Sequence, residues 1–346
     1  KVGKSCLAKR VKVAWLFHYM EENDSTKPVF DFFDFQPKTC SFSIIGIGGG
    51  AGRIVEKMQK YELPDTNLYV FGMNKKEMRE LSLAHKYLIG TDGLGSGKDR
   101  RLAEAECKKS LPCLKQILAD KLVSIFIVCL GGGTGEGCIK HFLQRAVDLK
   151  VKVKLVVATL PHSSEGMEKR RNAVKLLGEL EKIADGIFVV DYDALPCHTL
   201  SELFEEANKR VANIANSFFS LIIKHSLICF DLNDVRSFLG YHSCTKFIDY
   251  FTLSGSVDYL KAELKNIRKF LPAKYVSLED VSNLIFALYY NRKVDDDDND
   301  PVRELLNVFH DCIEMKQEST QIKWTMFDVP TMPTGIFRID IFTKCN

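Results

Sequence analysis

Between residues 43 and 193, short apolar runs rich in β-branched residues alternate with segments whose apolar positions recur every three to four residues. The runs predict strands at 43–47, 67–71, 123–130, 151–159 and 186–190. The segments between them predict helices at 53–61, 99–107, 115–121, 137–149 and 168–184. This alternation is typical of an α/β fold, in which helices cover both faces of a parallel sheet.

The pattern changes after residue 199. The segment 200–223 has the period of one long, largely buried helix. We expect further helices at 257–270, 278–290 and 302–313, and strands at 320–327 and 334–343. Helices followed by two strands suggest a smaller α+β domain that ends in a hairpin. The acidic run 295–298 predicts a solvated loop, because like charges at that density repel one another.

Composition narrows the class of protein. The chain has 346 residues, of which 46% are hydrophobic and 27% charged, as in a soluble globular protein of two domains. No apolar run approaches the roughly 18 residues that a membrane span needs. A net charge of +3 gives no reason to expect a nucleic acid partner. The 11 cysteines include no CxxC pair, which predicts free thiols in a reducing cytoplasm and no zinc site.

A glycine-rich loop, GIGGGAG at 46–52, follows the first predicted strand. Backbone N–H groups at such a strand-to-helix turn bind phosphate oxygens, helped by the helix dipole. A dinucleotide site would also need an acidic residue about 20 positions later. The next strand ends in Gly72, Met73 and Asn74 instead, which argues against a nicotinamide oxidoreductase. The candidate binding residues of this loop are Gly48, Gly49, Gly50, Ala51 and Gly52.

Two more glycine loops lie at later strand ends. GLGSG at 93–97 is not a Walker A loop, because Asp92 and Asp99 stand where that motif needs a glycine and a hydroxyl residue. GGGTGEG at 131–137 opens a helix, so its N–H groups and its threonine hydroxyl can surround a triphosphate. One such loop could be a tight turn, but three together predict a triphosphate site. The candidate residues here are Gly93, Gly95, Gly97, Gly131, Gly132, Gly133, Thr134 and Gly135.

GGGTGEG resembles the tubulin signature loop, and the whole series is similar to the FtsZ-like GTPases of the tubulin/FtsZ superfamily. In that family's order, GIGGGAG matches the first loop, GMNKKEM at 72–78 the second, GLGSG the third, GGGTGEG the fourth and DYDAL at 191–195 the sixth. PHSSEG at 161–166 matches the family's fifth loop, LFEEAN at 203–208 the start of its central helix, and FDLNDVR at 230–236 its catalytic loop. The resemblance ends at the last strand, GIFRIDIF, and does not cover residues 1–40. It implies a parallel-sheet GTPase domain, a long central helix and a smaller C-terminal domain.

The resemblance also assigns roles to single residues. Glu165 inherits the glutamate that holds the ribose, and Lys169 stands where the family usually has arginine. Phe204 matches the aromatic residue that stacks on guanine, and Asn208 the amide that pairs with its edge. Tyr192 replaces a second guanine-binding asparagine, which puts the base specificity in doubt. A solvated carboxylate at Glu165 and a core position for Phe204 are the structural alternatives.

For hydrolysis, the family uses two carboxylates that reach the γ-phosphate of the next subunit. Here they are Asp231 and Asp234, although an N-cap and an acidic first-turn residue would give the same pattern. Cys229 replaces the asparagine that normally begins this loop. Asn74 replaces an aspartate near the metal-bound waters. The resemblance implies GTP or GDP with Mg²⁺, although no residue of this chain is assigned as a metal ligand.

The resemblance implies a GTPase that polymerises head to tail into filaments, in cell division or a related cytoskeletal task in the cytoplasm. Its partner would be itself, together with a membrane-tethering or division protein. The alternative is a nucleotide-binding relative with weak or lost hydrolysis or polymerisation, which Asn74, Tyr192 and Cys229 permit. We expect an N-terminal extension of helix plus arm (1–40), a GTP-binding domain (41–199), a central helix (200–224) and a C-terminal α+β domain with the catalytic loop (225–346).

Overall fold

A computed structural model describes residues 41–61, 63–240, 245–266, 281–292, 301–314 and 321–345. The predicted N-terminal helix and arm and the acidic run 295–298 lie outside these residues. The first half of the described chain alternates strands and helices. In chain order they are β1 Phe42–Ile47, α1 Gly49–Met58, β2 Thr66–Gly72, α2 Lys75–Glu80, β3 His85–Leu88, α3 Arg100–Ser110, α4 Leu114–Leu118, β4 Val123–Cys129, α5 Gly133–Asp148, β5 Val153–Leu160, α6 Met167–Leu180 and β6 Gly186–Asp191.

The second half begins with a helix of 24 residues. Thr199 and Glu202 form a capping box at its start, which satisfies N–H groups that would otherwise lack partners. The elements of this half are α7 Leu200–Ile223, α8 Leu232–Gly240, β7 Phe247–Gly255, α9 Val257–Lys265, β8 Val281–Tyr290, α10 Pro301–Glu314, β9 Gln321–Asp328 and β10 Phe337–Cys345.

The ten strands form one sheet in the order β3-β2-β1-β4-β5-β6-β7-β10-β8-β9. The strands from β3 to β6 are parallel, as the alternating pattern predicts. From β1 to β3, successive strands are added on one side of β1, and from β4 to β6 they are added on its other side. The order of the strands therefore switches between β1 and β4. Ligands of open α/β sheets bind at such a switch point, outside the carboxyl ends of the strands. The loops after β1 and β4 are GIGGGAG and GGGTGEG.

Each face of the parallel sheet is covered by its own layer of helices. On one face, Ile44, Val70 and Val157 belong to the same buried cluster as Val55 of α1 and Val211 of α7. On the other, Ile45, Phe71 and Phe126 share a cluster with residues of α3, α5 and α6. Every residue of β1 is buried, as expected for a parallel strand that is covered on both faces. The predicted α/β class is therefore confirmed.

Two predictions for the second half are wrong. The segment 278–290 was predicted to be a helix, but β8 is a strand whose ten residues are all buried. A fully buried strand has no alternation, so its apolar run cannot be distinguished from a buried helix by period alone. The last two strands do not form a hairpin, because β10 lies between β7 and β8, and β9 pairs in parallel with β8.

Some boundaries and elements also differ from the prediction. The first helix begins at Gly49 rather than residue 53, so four residues of the glycine loop are helical. The short strand β3 and the strand β7 had no predicted counterpart. No helix in the described part of the chain combines the length and the apolar character needed to cross a bilayer. The predicted domain boundaries stay a prediction.

Candidate functional site

The first and fourth loops lie against each other at the switch point. Gly48 has φ +92°, and its N–H donates to the carbonyl of Phe71 at 2.8 Å. A Cβ on Gly48 would lie 3.5 Å from the backbone nitrogen of Gly135. The first bond of α1 runs from the N–H of Gly52 to the carbonyl of Gly48. The N–H groups of residues 49–51 therefore have no helical acceptor and face outward from the helix end.

The third loop is fastened to the end of β2 and to the fourth loop. Gly93, Gly95 and Gly97 all have φ between +55° and +91°, which side chains rarely allow. The N–H of Gly95 donates to the carbonyl of Met73 at 3.0 Å. The hydroxyl oxygens of Thr134 and Ser96 lie 3.3 Å apart. The three glycine loops that the sequence predicts therefore form one continuous surface.

The fourth loop carries a buried acid that sequence reasoning did not assign. Glu136 is 9% exposed, and its carboxylate accepts a 2.6 Å hydrogen bond from the N–H of Gly131. That N–H is thus used within the loop. Gly133 begins α5 so close to the third loop that a Cβ would lie 2.7 Å from the backbone carbon of Lys98. Only glycine fits at this position.

A cavity of about 590 Å³ opens beside the fourth loop. It brings together four predicted residues, Gly131, Gly132, Glu165 and Lys169. Glu165 and Lys169 form an ion pair one helical turn apart, so the predicted ribose ligand is already held in place. The remaining lining residues are Lys98, Arg100, Glu136, Glu168 and Asn172. The wall therefore mixes cations, which suit phosphates, with carboxylates, which suit hydroxyl groups.

The predicted base-binding residues lie at the start of α7. Phe204 is 44% exposed, which rules out the core position considered as an alternative. Its ring meets that of Tyr192 edge to face, with centroids 5.8 Å apart. Burial raises the pKa of Tyr192 to about 12, so this residue is a neutral phenol. Asn208 is half-buried, and its side chain makes no hydrogen bond to another described residue, which leaves its amide available to a ligand.

An ion-pair cluster missed by the sequence analysis ties the fifth loop to the sixth. Arg170 donates to both carboxylate oxygens of Asp191, at 2.9 and 2.6 Å, and to the carbonyl of Pro161 at 2.8 Å. Its guanidinium also lies 3.2 Å from Asp193. The pKa of Asp193 is lowered, first by the N–H of Ser163 and then by the charge of Arg170. Charge-assisted bidentate pairs of this kind fix geometry strongly.

Asp231 and Asp234 lie beyond the far end of the central helix. The 24 residues of α7 span about 36 Å, from the end that carries Phe204 to the chain that leads to Asp231. Asp231 accepts hydrogen bonds from the N–H groups of Asn233 and Asp234, at 2.7 and 3.0 Å. It is thus the N-cap of α8, as the structural alternative predicts. Capping uses one of its oxygens and leaves the other for chemistry.

The second loop does not offer Asn74 as a metal ligand. Its side-chain oxygen caps α2 by accepting from the N–H groups of Lys76 and Glu77, at 3.0 and 3.3 Å. Glu77 lies so close to Gly49 that a Cβ there would overlap its carboxylate. Among the residues that the structure describes, no group of three His, Cys, Asp or Glu could hold a metal by itself. A nucleotide-bound Mg²⁺ needs only one or two carboxylates, and Glu77 fits that requirement.

Comparison with known proteins identifies the family of the domain that carries the glycine loops. The sequence model named "Tubulin/FtsZ family, GTPase domain" matches residues 41–198. Residues 41–198 are therefore a GTPase domain of the tubulin/FtsZ family, and the matches support a divergent member of that superfamily. The GTPase domain that its glycine loops imply is the domain that the model matches. The resemblance stated from the sequence motifs is therefore confirmed.

The curated relatives that match this chain include two FtsZ proteins of moderate similarity. "Cell division protein FtsZ" of Aquifex aeolicus is 27% identical over 208 residues, which cover 58% of this chain and 56% of that protein. "Cell division protein FtsZ 1" of Pyrococcus furiosus is 29% identical over 202 residues, covering 56% of this chain and 54% of that protein. The chain thus spans about half the length of the curated relatives it matches.

Solved structures show the same fold over a longer stretch. An FtsZ dimer from M. jannaschii superposes with a TM-score of 0.74 and 18% identity, over 96% of this chain and 91% of that one. A GTPγS-bound protofilament of CetZ2 from Haloferax volcanii gives a TM-score of 0.71 and 18% identity, over 88% and 92%. At these identities the likeness concerns the fold, which is the predicted tubulin/FtsZ fold.

Proposed function

We propose that this FtsZ-like protein binds GTP between its glycine loops and hydrolyses it at the contact between two copies that assemble head to tail. The observation that carries the proposal is the separation of the two halves of the site. The glycine loops and Phe204 lie near the N-terminal end of α7, which is about 36 Å long, and Asp231 belongs to the segment that follows its other end. A carboxylate held at the opposite end of a helix of this length would not reach a nucleotide bound at the first end by the same chain.

Nucleotide binding would use several contacts at once. The outward-facing N–H groups of residues 49–51 would donate hydrogen bonds to phosphate oxygens at the positive end of α1. Lys98 and Arg100 line the adjoining cavity and would offset the charge of the triphosphate. Glu165 would hold the ribose. Phe204 would stack on the base, and the amide of Asn208 would pair with its edge.

Hydrolysis would need the second copy. A water molecule would attack the γ-phosphorus, the bond from that phosphorus to the β,γ-bridging oxygen would break, and GDP and phosphate would leave. Asp231 of the neighbouring copy would polarise the water through its uncapped oxygen and take up the proton. A head-to-tail contact of this kind does not close on itself, so it would produce a filament.

The proposal includes a magnesium ion that binds together with the nucleotide. When bound, it would neutralise charge that develops on the β- and γ-phosphates. Most of its ligands would be phosphate oxygens and waters, with Glu77 as the carboxylate beside the first loop. Cell division or a related cytoskeletal task in the cytoplasm, with a protein that tethers the filament, is the corresponding cellular role.

The alternative function is nucleotide binding with weak or lost hydrolysis. Three observations support this alternative: Asn74 is used as a helix cap, Tyr192 is buried, and Cys229 replaces the expected asparagine. None of them closes the cavity or blocks Phe204 and Asn208. We therefore expect binding to be retained even if turnover is slow.

The test is to measure sedimentation and phosphate release at several protein concentrations with GTP, GDP, ATP and NADH. We expect pelleting and release with GTP, and a specific activity that rises with protein concentration. Release with GTP at a rate per chain that is independent of concentration would contradict shared sites. GTP binding without either pelleting or release would establish the alternative.

A further inference from the structure

The edge strand β9 holds the segment that carries Asp231 and Asp234. The N–H of Leu227 donates to the carbonyl of Met326 at 2.7 Å, and the hydroxyl of Thr325 donates to the carbonyl of Ile228 at 2.9 Å. Two residues earlier on the same strand, the ammonium of Lys323 donates to Asp234 Oδ1 at 2.9 Å. The segment before α8 is therefore fixed to one edge of the sheet by backbone and side-chain contacts.

These contacts make the two carboxylates unequal. Both oxygens of Asp234 are used, since Oδ1 accepts from Lys323 and Oδ2 accepts from the N–H of Asp231 at 3.1 Å. Asp231 uses only Oδ1, for capping. Its Oδ2 makes no hydrogen bond within the described part of the chain, and its side chain is exposed. Asp231 therefore has the accessible oxygen, and Asp234 is the fixed one.

The electrostatics point the same way. Burial alone would raise the pKa of Asp234, but the hydrogen bond and charge of Lys323, with the N–H of Asp231, lower it below its usual value. A carboxylate with a lower pKa accepts a proton less readily, so the contact with Lys323 makes Asp234 a poorer general base than it would be without that cation. Two bare carboxylates would also repel an approaching triphosphate. The ammonium of Lys323 offsets one of these charges at the face that would meet the nucleotide.

We propose that Lys323 is a positioning residue for hydrolysis in the neighbouring copy: it fixes the Asp234 carboxylate and leaves Asp231 Oδ2 as the oxygen that activates water. This inference rests on the proposed function, since it assumes that the loop faces a nucleotide held by another copy. It assigns a role to a residue that lies 89 positions away from its partner and outside the motif FDLNDVR.

The experiment compares Lys323→Met, Lys323→Arg and Lys261→Met. Lys261 is a matched control, because it also pairs with a carboxylate, that of Glu304, but on the helices α9 and α10. For Lys323→Met we expect GTP binding within twofold of the wild type and phosphate release lowered about tenfold or more. The acid limb of its pH–rate profile should shift to higher pH, because Asp234 loses its cation. Lys323→Arg should recover most of the rate, and Lys261→Met should match the wild type.

Two results would refute the role of Lys323 without refuting the proposed function. If Asp231→Ala loses phosphate release while Lys323→Met keeps the wild-type rate and pH profile, the role of Lys323 is refuted and the proposed function stands. If Lys323→Met loses rate with an unshifted profile and Lys323→Arg does not restore it, the residue is only structural and the inference also fails. A wild type that hydrolyses no GTP, or does so independently of concentration, refutes the proposed function and this inference together.

Discussion

Arg170 and Asp191 form a bidentate ion pair, with nitrogen–oxygen distances of 2.9 and 2.6 Å, that joins the helix after the fifth loop to the end of β6. The side chain of Arg170 is 20% exposed, so solvent only partly screens the pair. Asp191 directly precedes Tyr192, whose ring packs edge to face against that of Phe204. The ion pair therefore also helps to hold Tyr192 and Phe204 in position.

Replacing Arg170 should therefore weaken both stability and binding. In Arg170→Ala, Asp191 and Asp193 lose their shared cation and the carbonyl of Pro161 loses a donor. We expect a loss of about 1.5–3 kcal/mol in the free energy of unfolding, the range for a hydrogen bond to a charged group. GTP affinity, measured by calorimetry, should fall as well. Arg171→Ala is the matched control, since Arg171 is exposed, and it should change neither quantity. Equal behaviour of the two variants would contradict this role.

Phe204 should contribute to nucleotide affinity and little to stability. It is 44% exposed, so truncation to alanine leaves no cavity. Stacking of a base on an aromatic ring is worth about 1–3 kcal/mol, so Phe204→Ala should weaken GTP binding by about tenfold or more. Phe204→Tyr keeps the ring and should bind normally. Unchanged affinity for GTP in Phe204→Ala would place the base elsewhere.

Glu77 should govern how strongly magnesium favours GTP binding. Its carboxylate lies against Gly49 of the first loop, beside the expected phosphates. In the wild type we expect GTP affinity to fall when EDTA removes the metal. In Glu77→Gln the affinity with Mg²⁺ should drop toward the EDTA value, and the affinity in EDTA should not drop. Glu80→Gln, an exposed acid at the end of the same helix, is the control. A full magnesium effect in Glu77→Gln would exclude this carboxylate as a ligand.

Lys344 should make stability depend on pH in the alkaline range. It is fully buried, and its ammonium donates to the carbonyl of Leu239 at 2.6 Å. Burial, together with the nearby charge of Lys246, lowers its pKa to about 8. An unfolded lysine has a pKa near 10.4, so between these values the unfolded chain binds more protons and stability rises with pH.

Subtracting the free energy of unfolding of Lys344→Met from that of the wild type separates the contribution of Lys344 from those of the other titrating groups. We expect the difference in the free energy of unfolding to shift in favour of the wild type between pH 8 and pH 10, by on the order of 1 kcal/mol. Denaturation by urea at several pH values measures it. Parallel stability curves for the two proteins would show that Lys344 does not change its protonation on folding in this range.

The glycine loops could be predicted because their chemistry is local. Each loop needs glycine where φ is positive or where another backbone comes close, as at Gly48 and Gly133, and that need is visible in the sequence. The apolar period that predicts the length of α7 is local in the same sense. Five of the six parallel strands followed from alternation, because each apolar run is bounded by turn residues; the short strand β3 did not.

What could not be predicted depends on distant parts of the chain. The ion pair of Arg170 with Asp191 joins residues 21 positions apart, and that of Lys323 with Asp234 joins residues 89 apart. Both require the order of strands in the sheet. The burial of β8 on both faces removed the alternation that distinguishes a strand, so the segment resembled a helix. The position of β10 between β7 and β8 has no local signal either.

The central claim, that one copy completes the site of the next, is tested most directly by mixing two variants. Asp231→Ala keeps the nucleotide residues and loses the carboxylate, and the double variant Phe204→Ala, Asn208→Ala keeps the carboxylate and loses base recognition. At a GTP concentration near the wild-type dissociation constant, each alone should release little phosphate. We predict that the mixture releases phosphate well above the sum of the two. A mixture no faster than that sum, beside an active wild type, would contradict a site shared between copies.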